Sequence, residues 1–266
     1  MDLFQKLPPP GPNDWLANHP ERGQTFEQFV AAHPNQPDAQ RRTICIQPLG
    51  DFASVKSPSL ALLREFASAF FMLPVRLLNA VDIRAQSITS RRNPSTGQLQ
   101  LLTGDILSFL KRAIPADAFC VIGASMIDLY PDPSWNFVFG QASLRERVGV
   151  YSFARYASAD PHLMLRRSCK VLAHETSHMF GIEHCVFYRC VMNGSNHLAE
   201  SDARPMHLCP IDLQKLQWSA GFAAAARYRK LIAAERACGF PDEADWTERA
   251  LLDHERGPSH PRTSSP

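Results

Sequence analysis

Residues 159–184, ADPHLMLRRSCKVLAHETSHMFGIEH, constrain this chain more than any other stretch, because one periodicity has to serve both a core and a cluster of histidines. Asp160 as N-cap, Pro161 in the first turn and Gly181 at the close predict a helix. At about 100° per residue, Leu165, Cys169, Leu172 and Met179 share one face, ready to pack on a sheet. His174 and His178 fall roughly opposite, about 40° apart and one turn from each other, where two imidazoles can grip one ion. Glu175 lies about 100° from His174, too far round to be an equal ligand but placed to hold a water on that ion. Gly181 tolerates the left-handed conformation that turns the chain, and the turn can return His184 as a third nitrogen ligand. Three protein ligands leave a fourth position for water, which marks a catalytic zinc site and not a closed structural one. Such an ion lowers the pKa of its water to about 7 while Glu175 takes and returns the proton. A bare HExxH arises by chance in about one chain of this size in a hundred. The fixed glycine and third histidine lower that to less than about one in a thousand.

Cysteines crowd the same region. Cys185 follows the third histidine directly, Cys190 comes five residues later, and Cys209 opens another helical pattern with Pro210 after it and Asp212 three residues on. Three thiols beside a metal site suggest a second, structural zinc, with three buried free thiols as the alternative. Cys45, Cys120 and Cys169 sit in apolar surroundings and read as core thiols. Cys238 ends a helical pattern. Seven cysteines, an odd number, fit poorly with a disulfide framework. The start, MDLFQKLPPPGPNDW, lacks the basic end and apolar run of a secretory signal, and no run approaches the length of a membrane span. The expected compartment is therefore cytosol or nucleus, without secretion. A formal charge of +2 argues against capture of nucleic acid or acidic membrane as the main task.

Between the two ends, strand and helix patterns alternate. RTICIQPLGDF reads as a buried strand, and SPSLALLREFASAFFML as a helix capped by Ser57 with Pro58 at its first position. VRLLNAVDI is strand-like, TGDILSFLKRAIP is a helix stopped before Pro115, and AFCVIGASMIDLY is a continuous apolar run for a central strand. Strands separated by helices imply a largely parallel sheet. WNFVFGQAS then alternates, and RVGVYSFARY is another strand with no helix between, so at least one runs antiparallel and the alternating one suits a sheet edge. An open edge can accept an extended peptide. Prolines crowd both ends. Residues 1–40 therefore read as an extended flank with one short helix at QTFEQFVAA, and residues 241–266 as a disordered tail.

HExxHxxGxxH at 174–184, followed by Cys185, Cys190, Met192 and Cys209, resembles the archaemetzincin (archaelysin) family of metzincin metallopeptidases. The match extends over about 174–216, where NGSNHLAESDARP and LCP fit the family's pattern. The resemblance implies His174, His178 and His184 as ligands of a catalytic zinc, Glu175 as general base, and Met192 as the methionine floor beneath the metal. It implies Cys185, Cys190 and Cys209 as three of four cysteines around a second zinc. The closing CxxC of the family reads CPID here, so Asp212 stands in the fourth place. Asp212 completes a harder site, His207 or His197 substitutes, or the site is degraded. The implied fold is α/β, of the α+β metzincin type. It has a mixed, mostly parallel five-stranded twisted sheet with an antiparallel edge strand, an active-site helix and a smaller helical C-terminal subdomain. The catalytic domain then runs over 41–240, its upper part 41–184 and its lower part 185–240.

The expected function is zinc-dependent hydrolysis of peptide bonds, aminopeptidase-like on small peptides, by a monomer acting on a peptide or protein substrate. Tyr188, Tyr151 or Asn196 are candidates for a second electrophilic group, and Glu183 for holding a substrate amino terminus. The alternative is a zinc-braced binding module without turnover. No cysteine precedes Cys45, so latency through a pro-segment thiol is not expected. An intact Glu175 favours the enzyme, since a binding module has no need of a base beside the metal.

Overall fold

The computed structural model describes residues 3–52, 57–156 and 158–257. Along the chain come α1 (Trp15–Asn18), α2 (Phe26–Ala31), β1 (Thr43–Leu49), α3 (Leu60–Phe71), β2 (Val75–Leu77), β3 (Ser90–Arg92), β4 (Leu99–Leu102) and α4 (Thr103–Arg112). They are followed by β5 (Ala118–Ser125), β6 (Asp128–Tyr130), β7 (Gly140–Ala142), β8 (Val148–Ser152), α5 (Pro161–His178), α6 (Leu198–Ala203), α7 (Pro210–Ala220), α8 (Ala224–Ala237) and α9 (Pro241–Arg256). The main sheet has five strands in the order β2-β1-β5-β8-β7, with β7 on its edge. The first four are parallel and β7 is antiparallel to β8, as the alternation in the sequence requires. Successive residues divide between two cores. Ile44, Ile46, Cys120, Ile122 and Ala124 join the core of α3 and α5, whereas Cys45, Leu49, Val121, Val148 and Val150 meet Ile106 and Leu110 of α4. Both faces are covered, which is why these strands read as unbroken apolar runs. Cys45, Cys120 and Cys169 are fully buried core thiols, as expected.

Several boundaries differ from expectation. AFCVIGASMIDLY is two strands: β5 stops at Ser125, whose Oγ accepts from Ile127 N at 3.0 Å, and β6 enters a second sheet ordered β3-β4-β6. The β3–β4 hairpin has no strong apolar run, so it escaped the sequence reading. Of VRLLNAVDI, Val75–Leu77 form β2 and Val81 meets β1 again at a bridge to Leu49, after which Asp82 accepts from Arg84 N at 3.0 Å and starts a short 3-10 turn. The cap of α3 is Ser59, which accepts from Leu62 N at 3.3 Å, and not Ser57, whose hydroxyl donates to Phe52 O at 2.6 Å.

The two ends depart furthest. Residues 241–256, expected as disordered tail, form α9: Pro241 is its first residue, Asp242 and Glu243 lie in its first turn, and His254 and Arg256 in its last. These are start and stop signals of a helix, and the proline marks its first turn and not a flank. Residues 258–266 of that tail lie outside the described residues. The helix packs on α8 and is tied to α5 by Arg166, which donates to Asp242 at 2.8 Å and Glu243 at 3.0 Å. The N-terminal residues are not an extended flank either. Leu7 N donates to Phe187 O at 3.1 Å and Arg189 N to Gln5 O at 2.8 Å, so residues 5–7 pair with 187–189. Helix α2, the expected short helix, begins in a Thr25–Gln28 capping box and buries Phe29 completely beside Trp218 of α7. Apolar side chains spaced along a proline-rich stretch had a partner surface that no local pattern could reveal.

Candidate metal centre and cleft

Helix α5 has the predicted start, with Asp160 accepting from His162 N at 2.9 Å and Pro161 at its first position. Leu165, Cys169, Leu172 and Met179 are all buried in the core. The helix ends at His178, and Gly181 turns the chain with φ of +84°. A side chain there would also meet Pro34 Cβ at 2.8 Å, so the glycine is required by contact as well as by conformation. The turn brings His184 back beside the helix, and one ring nitrogen from each of His174, His178 and His184 lies within 4.8 Å of the others.

The hydrogen bonds assign the roles of these nitrogens. His174 Nδ1 lies 2.9 Å from Val191 O, His178 Nδ1 lies 2.6 Å from Ile182 O, and His184 Nδ1 lies 2.8 Å from Glu21 Oε1. The carbonyl and carboxylate oxygens accept, which assigns the proton to Nδ1 and leaves Nε2 as the ligand atom; at His174 the donor Arg204 Nη1 also lies 3.2 Å from Nδ1. Nε2 of His174 and Nε2 of His178 then face each other at 3.1 Å with no hydrogen between them. Two lone pairs so placed repel unless a cation lies among them, and three neutral imidazoles suit zinc with one position open. Burial holds the rings in the neutral state, pushing His174 well below the usual range and His178 down to about 3.

Glu175 is 5% exposed and projects against β7, where a Cβ on Gly140 would lie 2.5 Å from its Oε1. Burial pushes its carboxyl up to about 8, with Arg204 pulling weakly the other way. Glu175, His174 and His184 line one cleft of about 330 Å³, whose walls include Trp15, Trp135 and Arg204. Arg204 is 7% exposed; it donates to Asn193 O at 2.6 Å and to Ser201 Oγ at 2.9 Å. Among the described residues it has no carboxylate in salt-bridge contact. The sequence reading missed Trp15, Glu21, Gly140 and Arg204. Only Gly140 carried a local signal, a glycine inside a strand pattern, which marks close approach of another group.

Cys185, Cys190, Cys209 and Asp212 converge in a second cluster, all buried, with one ligand atom from each within 4.8 Å of the rest. Asp212 Oδ2 lies 3.3 Å from Cys190 Sγ and 3.4 Å from Cys209 Sγ. Backbone N–H groups point at sulfur: Cys209 N donates to Cys190 Sγ at 3.2 Å, and Asp212 N to Cys209 Sγ at 3.5 Å. Lys215 Nζ, also buried, donates to Asp212 Oδ1 at 2.8 Å. Burial, then the negative charge of the neighbouring Cys185 thiolate, push Asp212 up to about 6, while Lys215 opposes them. Three sulfurs and a carboxylate sharing one dry pocket fit a closed four-coordinate cation site. Among the sequence alternatives, neither histidine belongs to this cluster. His197 caps α6 by accepting from Glu200 N at 3.2 Å, and His207 stacks on Trp246 with ring centroids 3.5 Å apart.

The remaining candidates separate clearly. Asn196 lines the cleft, while Tyr151 is buried in the core and Tyr188 pairs with Lys6, whose Nζ lies 3.8 Å over its ring. Glu183 is exposed, in an adjoining cavity of about 400 Å³ shared with Glu21, His178 and His184. Met192 is fully buried, and its carbonyl accepts from Cys185 N at 2.9 Å, tying the two clusters together.

Comparison with known proteins gives the same grouping. The family model for peptidase family M54 matches residues 97–218. Archaemetzincin-2 of Macaca fascicularis is 40% identical over 291 residues, covering 96% of this chain and 79% of that protein. Archaemetzincin-2 of Homo sapiens is 42% identical over 289 residues, covering 95% and 79%. The crystal structure of archaemetzincin from Methanopyrus kandleri superposes with a TM-score of 0.56 at 28% identity, covering 70% of this chain and 99% of that one.

Proposed function

The chain belongs to the archaemetzincin family, peptidase family M54, as a zinc metallopeptidase, and we propose that it hydrolyses peptide bonds in the cleft between β7 and α5 with Glu175 as general base. One observation carries this reading. One ring nitrogen from each of the three histidines converges while each Nδ1 faces a carbonyl or carboxylate oxygen, and a buried carboxylate opens on the same cleft. His174, His178 and His184 would hold the zinc, which would supply a Lewis acid to polarise the scissile carbonyl. Glu175 removes a proton from the attacking water and hands it to the departing amine. Its burial suits this, because a base works best when its pKa lies near the working pH, and a neighbouring cation draws it down from about 8. The free edge of β7 lies beside Glu175, so an extended peptide added there as a further strand presents its carbonyls to the site.

Cys185, Cys190, Cys209 and Asp212 would hold the second, structural zinc, and the fully buried Met192 is joined to that cluster through Cys185 N. Glu183, exposed in the cavity next to His184, offers a carboxylate to a substrate ammonium, which supports an aminopeptidase-like preference for small peptides. Glu175→Gln tests the mechanism: zinc stays bound and turnover is lost. Unchanged turnover in that variant would remove Glu175 from the base role. Products shortened by one N-terminal residue bear out the aminopeptidase preference, and internal cuts contradict it.

A further inference from the structure

The three imidazoles are not held alike. His174 and His178 are fixed by the helix that carries them, and their Nδ1 protons go to backbone carbonyls. His184 stands in the loop after Gly181 with no such support. Its ring is met instead by a distant part of the chain, Glu21 Oε1 at 2.8 Å and the Trp15 indole edge-on with centroids 5.3 Å apart. Trp15 Nε1 donates to the same Glu21 oxygen at 2.9 Å, so the carboxylate is itself aimed.

The segment that brings them is seated at several points. Trp15 N donates to Glu200 Oε1 at 2.9 Å, and Gln24 Nε2 donates to Gly181 O at 3.2 Å, while Gln24 Oε1 accepts from Glu183 N at 3.3 Å. A Cβ on Gly194 would lie 2.3 Å from Trp15 Cδ1, so the glycine makes room for the indole. These contacts hold residues 15–24 against the loop that carries the third ligand.

We propose that Glu21 is a positioning residue of the catalytic metal site, a carboxylate that locks His184 with Nδ1 protonated and Nε2 turned towards the metal. The N-terminal segment is then part of the metal centre. This rests on the reading of His184 as a zinc ligand. A carboxylate behind a metal-bound imidazole fixes its tautomer and ring orientation and raises its basicity, and removing such a partner typically weakens metal binding about 10–100-fold.

The test uses the full chain loaded with cobalt(II), then zinc in competition with a chromophoric chelator. Cobalt on thiolates gives a charge-transfer band that cobalt on imidazoles lacks, so the histidine site is followed separately through its ligand-field bands. Glu21→Ala should weaken metal at the histidine site about 10–100-fold and shift those bands. Glu21→Gln, which keeps the acceptor oxygen and loses the charge, should fall between Glu21→Ala and wild type. Melting of the metal-free protein should be unchanged in Glu21→Gln, which keeps the readout interpretable if Glu21→Ala folds poorly. His184→Ala is the reference. If it loses metal while both Glu21 variants bind like wild type, the proposal is overturned and the ligand reading stands. If His184→Ala also binds like wild type, the ligand reading fails and the proposal with it.

Discussion

Gly140→Ala is a small change with a calculable effect. Gly140 is not among the glycines with positive φ, so alanine is allowed there on backbone grounds and only the methyl group matters. That methyl would lie 2.5 Å from Glu175 Oε1 and 2.7 Å from its Cδ and Cγ, against ordinary contacts of 3.4–4 Å. Something must move by about 1 Å. The strand is pinned, since Gly140 is in register with Tyr151 and Ser152 N donates to Phe139 O at 2.9 Å. The displacement therefore falls on the Glu175 side chain. Misplacing a reacting group by about 1 Å typically costs about 100-fold in rate, and overpacking costs about 1–3 kcal/mol of stability. The assay is steady-state hydrolysis of a peptide that the wild type cuts, with zinc content measured in parallel. kcat should fall about 100-fold while zinc affinity stays within a few-fold, because the three atoms nearest that methyl all belong to Glu175. Turnover within twofold of wild type, from a folded and zinc-loaded variant, would refute the placement of Glu175 against the edge strand.

Other outcomes follow from the same geometry. Asp212→Ala leaves the Lys215 ammonium buried without its carboxylate, which should cost about 3–5 kcal/mol and roughly 10 °C in melting temperature, with loss of the second metal. Asp212→Ala with Lys215→Met should recover part of the stability and none of the metal, as melting curves and metal analysis would show. Glu235, pushed up from 4.5 to about 7 by burial against a hydrogen bond from Thr247, binds its proton more tightly folded than unfolded. Its contribution is therefore full below about pH 4.5 and lost as pH rises through about 7, so Glu235→Gln should be more stable than wild type at pH 8 by on the order of 2 kcal/mol, with a much smaller difference at pH 5 in denaturant titrations. Removing residues 241–266 uncovers Tyr228 on α8 and takes Trp246 from the His207 ring, and should lower the melting temperature by about 10 °C. An unchanged melt would return that segment to the status of a tail.

Helix α5 was legible because its signals are local and agree. Asp160 and Pro161 start it, Gly181 ends it, and the same 100° step sends Leu165 and Cys169 inward and His174 and His178 outward. The parallel sheet was legible from unbroken apolar runs between helices, and the antiparallel edge from the missing helix between the last two strands. What escaped depends on distant partners. Glu21 looks like any surface glutamate until the fold sets it 163 positions away in sequence from its partner His184. Asp212 was legible as a departure from a cysteine pattern, but its choice over His197 and His207 needed the loop path that brings it beside Cys190 and Cys209.

The measurement that bears most directly on the account exposes a mixed peptide library to the zinc-loaded protein and, in parallel, to Glu175→Gln, with mass spectrometry of the products. Cuts made by the wild type and absent from the variant, at equal zinc content, are the predicted result. No cuts by a folded wild type bearing zinc on both sites would contradict peptide hydrolysis in this cleft and favour a zinc-braced binding surface.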